Sequence, residues 1–83
     1  MTDNEINTIT LSGRVRSCRY HSDRDRLTFI LATPSGNYFV EMNQPGELRL
    51  ETGQRVMVIG TLFTVLEKSG DRARIRARSV HLI

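Results

Sequence analysis

Four arginines at alternate positions, Arg72, Arg74, Arg76 and Arg78, form the densest chemistry in this 83-residue sequence. In an extended chain that spacing puts all four guanidiniums on one strand face, over roughly 20 Å, with their side chains toward solvent. Like charges so close repel, and such a face needs either acids on a neighbouring strand or a polyanion lying along it. Both readings stand on the residues alone: a solvated outer face with Glu41, Glu47 or Glu67 beside it, or a track for phosphates. A track for single-stranded nucleic acid also needs flat surfaces on which bases stack. Phe39, Tyr20 and Phe63 could supply rings, and Phe39 is the best placed because the alternation of its strand turns it outward. Phe63 is equally compatible with a core position.

No catalytic set assembles around these residues. Cys18, His21 and His81 make at most three zinc ligands, at spacings that match no metal pattern. Neither Ser12-Gly13 nor Ser69-Gly70 has the context of a nucleophile elbow. Asp23 and Asp25 sit among arginines in a polar stretch and read as a solvated turn. The expectation is a protein that is not an enzyme and carries no cofactor or metal.

Charge points to the same class of partner. The formal net charge is +3 with a pI near 9.8. Eleven of the twelve cations are arginine, Lys68 being the exception, and guanidinium suits phosphate forks and flat rings better than ammonium does. Residues 1–42 carry five arginines against five acids, whereas residues 43–83 carry seven cations against four acids, so the whole excess lies in the second half. A single cysteine excludes an internal disulfide and suits a reducing compartment. The polar N-terminus has neither a signal peptide nor a membrane span, and a cytoplasmic protein with no membrane partner is expected.

Period-2 alternation supplies the elements that must position these residues. The reading is a flexible segment at 1–5 and a single domain over 6–83. The first strand runs Thr8 to Arg16, with Ile9, Leu11, Gly13 and Val15 inward and Thr10, Ser12, Arg14 and Arg16 outward; Arg19 to Asp25 is a polar connection. The second strand, Arg26 to Thr33, turns Leu27, Phe29 and Leu31 inward. Thr33-Pro-Ser-Gly-Asn37 has turn composition and joins it as a hairpin to a third strand, Tyr38 to Asn43, with Tyr38, Val40 and Met42 inward and Phe39 and Glu41 outward. Pro45-Gly46 opens a turn, and Leu48 and Leu50 fit an extended segment better than a helix. The fourth strand follows Gly53, with Val56 and Val58 inward, and continues past Gly60 to Leu62 and towards Val65. After a tip at Glu67 to Asp71, the fifth strand turns Ala73, Ile75 and Ala77 inward, then Val80 and Leu82 after a bulge near Ser79. Gly13 and Gly60 both fall on inward faces, where a strand bends or approaches another backbone closely. Five strands, inward glycines and little or no helix predict an all-β, five-stranded Greek-key barrel of the OB type.

Several runs in this order resemble the single-stranded DNA-binding OB-fold proteins, and among them the primosomal replication protein N (PriB) family. They are Asn7-Thr-Ile-Thr-Leu-Ser-Gly-Arg-Val15, Leu27-Thr-Phe-Ile-Leu31, Gly53-x-Arg-Val-x-Val-x-Gly60 and the end Ala77-Arg-Ser-Val-His-Leu-Ile83, which together span nearly the whole chain. The resemblance implies a non-enzymatic, homodimeric binder of single-stranded DNA in bacterial replication restart that works with a restart helicase. It places the stacking aromatic of strand three on Phe39, the basic tip of the last hairpin on Lys68 and Arg72, and the arginine of strand two on Arg26. Arg74, Arg76 and Tyr20, with Arg14 and Arg16 on the outward face of the first strand, complete the candidate contacts. The largely uncharged outer face of that strand (Thr8, Thr10, Ser12) and its open edge are where the homodimer is expected. The chain departs from the family in its shorter hairpins and fewer lysines. It departs from the general single-strand binding proteins in lacking a helix after strand three and an acidic tail, which implies a specialised accessory factor, such as one carried by a mobile element. An RNA-binding OB domain, or a protein-interaction OB module whose arginine face meets an acidic partner, are the alternatives.

Overall fold

In the computed structural model, residues 8–67 and 70–83 are described, with side chains at 8–63 and 73–83. They form five strands: β1 (Thr8–His21), β2 (Arg26–Thr33), β3 (Gly36–Asn43), β4 (Arg55–Glu67) and β5 (Gly70–Leu82). The strands close into a barrel in the order β1-β2-β3-β5-β4, with β4 returning to β1. All pairings are antiparallel except β3 with β5, which is parallel. This is the all-β OB barrel that the alternation pattern predicts, and no helix occurs among the described residues.

The inward phases explain the core. Val15, Leu27, Phe29, Leu31, Val40, Val56, Val58 and Ile75 are essentially inaccessible to solvent, and they come from all five strands. Leu50, from the irregular stretch between β3 and β4, packs against them, as Leu48 does in part. That stretch is extended and turned rather than helical, and Val15 anchors it: its N–H donates to the Gln54 carbonyl at 2.9 Å and its carbonyl accepts from Gly53 N–H at 2.8 Å.

β1 belongs to two layers. Residues 8–14 pair with β4 and residues 14–21 with β2. Gly13 lies at the crossing, where a Cβ would stand only 2.4 Å from the Ala32 carbonyl oxygen. Gly60 has the same role on β4, since a Cβ there would lie 2.3 Å from the Arg76 carbonyl oxygen. The bulge expected near Ser79 is present: Ile59 pairs with Ser79 and Gly60 with Ala77, which leaves Arg78 as the extra residue.

Three expectations need correction. The first strand does not stop at Arg16. It passes through a bulge between Arg16 and Arg19, with Ser17 at φ 52°, and continues to His21, so the polar connection shrinks to residues 22–25. Ala73 and Leu82, expected inside, are exposed, Leu82 at 57%. β5 contacts β3 only over Arg74–Arg76 and otherwise pairs with β4 alone, so its ends run past the closed part of the wall. Glu41 keeps its outward phase yet is 5% exposed, and Arg76 Nε donates to its carboxylate. The segment at 1–5 lies outside the described residues.

Candidate nucleic-acid interface

Cross-strand partners share a face of a sheet, so the register assembles the outer surface row by row. One row runs Arg16 on β1, Ile30 on β2, Phe39 on β3, Arg74 on β5 and Phe63 on β4. The next runs Arg19, Thr28, Glu41, Arg76 and Thr61. His21, Arg26 and Asn43 follow on one side, and Arg14, Ala32 and Asn37 on the other. The bulge in β1 advances that strand by three residues while β2 advances by two, and this keeps Arg19 on the same face as Arg14 and Arg16. All three are exposed.

At the end of this face nearest the β1–β2 turn lies a groove of about 550 Å³. Arg19, Arg24 and Arg26 stand on one side of it, Phe39 and Arg74 on the other, and Thr28 and Glu41 between. Several of these groups are held by neighbours. Arg26 Nε donates to Asn43 Oδ1 at 2.9 Å, and His21 Nε2 and Thr28 Oγ1 share a hydrogen bond of 3.0 Å. Arg24 and Asp23 form an exposed pair at 3.9 Å, of a kind worth little to stability. At the opposite end, Arg14, Arg16 and Arg55 surround a second basic depression beside the Pro34 turn, where Arg14 Nη1 also donates to the Gly53 carbonyl at 2.9 Å.

Two of the arginines of β5, Arg74 and Arg76, are engaged with the protein. The Arg74 guanidinium lies 4.7 Å from the centroid of the Phe39 ring, and Arg76 lies 4.7 Å from that of Phe63. Arg76 Nε also donates to Glu41 Oε2 at 3.2 Å, so one acid of the neighbouring strand does balance this face. Attraction of a cation by a ring quadrupole contributes about 0.5–1 kcal/mol at exposed sites, small enough for a stacking base to replace or extend it.

Of the residues singled out from sequence, Phe39, Arg16, Arg26, Arg74 and Arg76 share this face, with Arg14 at its far end. Tyr20 does not join them. It is the partner of Leu27, on the inner phase, and packs against the core with the Arg49 guanidinium 3.8 Å over its ring. Its hydroxyl donates to Asp25 Oδ1 at 2.8 Å, which pushes the phenol above its ordinary range. Lys68 and the Arg72 side chain lie outside the described residues. Arg19 and Arg24 were not among the sequence candidates: the first needs the bulge to reach the face, and the second sits in the turn. Cys18 packs partly against the core, where burial pushes its thiol up. Among the described residues no three His, Cys, Asp or Glu side chains are grouped to hold a metal, and no helix is long and apolar enough to cross a membrane.

No protein-family model and no curated protein matches the sequence. Solved structures similar to the barrel include a chain of a replication protein A heterotrimer bound to single-stranded DNA, at TM-score 0.76 and 16% identity over 93% of this chain. This protein spans 57% of that chain. The second single-stranded DNA-binding protein of Mycobacterium smegmatis aligns at TM-score 0.74 and 21% identity, covering 93% of this chain and 86% of its own. The dimeric N-terminal domain of PriB from Thermoanaerobacter tencongensis aligns at TM-score 0.68 and 22% identity, covering 94% and 97%. The fold is therefore the OB barrel found in single-stranded DNA-binding proteins, and the likeness expected from the strand motifs is met by a PriB domain among its structural neighbours.

Proposed function

We propose that this protein binds single-stranded DNA, without catalysis, across the outer face of β1, β2, β3 and β5. One observation carries the reading: Phe39 stands in the middle of that face, between the exposed arginines of β1 and the guanidinium of Arg74. A ring offers any base a flat surface, and flanking cations meet the phosphates on either side. The finer reading follows the PriB likeness: a homodimeric accessory factor of replication restart in the cytoplasm, acting beside a helicase.

The test is a titration of labelled oligo-dT, oligo-rU and duplex, with Phe39→Ala in parallel. Tightest binding to oligo-dT supports the proposal. Phe39→Ala weakens it by roughly 1–3 kcal/mol, about five- to 150-fold, with the melting temperature near that of the wild type. Preference for oligo-rU makes this an RNA-binding domain. Failure to bind any of the three leaves the module that meets an acidic protein.

A further inference from the structure

A carboxylate at the centre of a DNA-binding face works against the phosphates, and phosphate binding alone gives no reason for Glu41. Its position is specific. Glu41 is two residues from Phe39 on the same face of β3, about 7 Å along the strand, and both line the same groove. That distance is about the breadth of one pyrimidine. A base stacked on Phe39 and lying along β3 brings its pairing edge over the carboxylate. A carboxylate offers about four acceptor positions, and the Arg76 Nε–H occupies one of them from the side of β5. An ion pair serving stability alone could sit on the rim; this one holds an acceptor on the floor of the groove, 5% exposed.

We propose that Glu41 is a base-selecting residue: it favours a nucleotide that presents an exocyclic amino group, such as cytosine, over thymine or uracil. The inference rests on the proposed stacking at Phe39. The cytosine N4 amino group donates to a carboxylate. Thymine and uracil instead present a single N–H flanked by two carbonyl oxygens, and these meet the carboxylate acceptor to acceptor. Arg76 is the positioning residue, fixing the carboxylate and offsetting its charge toward the phosphates.

The experiment compares oligo-dC and oligo-dT of equal length at pH 8 and one fixed salt concentration. The wild type is expected to bind oligo-dC about fivefold or more tightly, the lower end of what one base-edge contact confers. Glu41→Gln brings the ratio to one or inverts it, since the amide can donate to the thymine O4. A third ligand, oligo-dC methylated twice at N4, removes the donor while the protein stays intact, so the test survives a Glu41→Gln variant that fails to fold. It is expected to bind the wild type no better than oligo-dT. Equal binding of dC and dT by the wild type overturns the selection and leaves the stacking site standing. An unchanged ratio in Glu41→Gln, or full binding of the methylated oligomer, also overturns it. Failure of both unmodified oligomers to bind overturns the DNA-binding reading itself, and the selection falls with it.

Discussion

Arg76 meets three neighbours: its side chain reaches the Glu41 carboxylate and the Phe63 ring, and its own backbone lies against Gly60. Spacing by two in the sequence puts it on a solvated face beside Arg74, and its side chain is indeed 56% exposed, but the side chain of Glu41 only 7%. Arg76→Ala strands a buried acceptor and is expected to cost about 1–3 kcal/mol in a urea melt. A melt equal to that of the wild type would remove Arg76 from its structural role. Glu41 itself was legible as an acid on the right face. Its burial was not, because that depends on the parallel pairing of β3 with β5, which joins residues 35 positions apart.

At the scale of the element, β1 decides which cations reach the face. Most of the strand phases were readable from alternation, since one buried side of a sheet fixes register strongly. The bulge in β1 was not, because its positive φ falls on Ser17 and not on a glycine, so nothing in the residue types marks it. That omission also hid Arg19. If phosphates run along β1, replacing Arg16 and Arg19 together by Ala should flatten the log–log salt dependence of oligo-dT binding by about 1.4, two contacts at about 0.7 each for a single strand. An unchanged slope would show these arginines to be merely solvated. The inward glycines, by contrast, were legible, and the structure supplies their cause. Gly60→Ala drives a methyl group against the β5 backbone and is expected to cost about 1–3 kcal/mol, a fall in melting temperature of roughly 5–20 °C for a domain of this size. A variant that melts like the wild type would mean that β5 can yield there.

Across the whole molecule, the barrel closes with one half-strand left open. Among the described strands, residues 8–13 pair only with β4, and their other edge faces outward with Thr8, Thr10 and Ser12 exposed. An unpaired edge is a template for a second chain, and a barrel this small gains from the extra burial. Light scattering at tens of micromolar, the order of magnitude at which weak pairing saturates, is expected to give the mass of a dimer joined through this edge. A monomer mass at that concentration would remove the proposal.

The division of β1 between two partners also sets an order in time. As the chain is synthesised, residues 14–21 can pair with β2 almost at once, for only four residues separate the two strands. Residues 8–13 must wait for 56–61 to gain any neighbour, and β3 must wait for 74–76 to gain its second. Such distant pairings carry their loop-closure entropy before they return any contact, so barrels of this kind fold in milliseconds to seconds, not microseconds. During that wait the edge of β1 is open to other nascent chains, and the β1–β2–β3 meander, the part that carries Phe39, is synthesised before the strands that close the barrel around it.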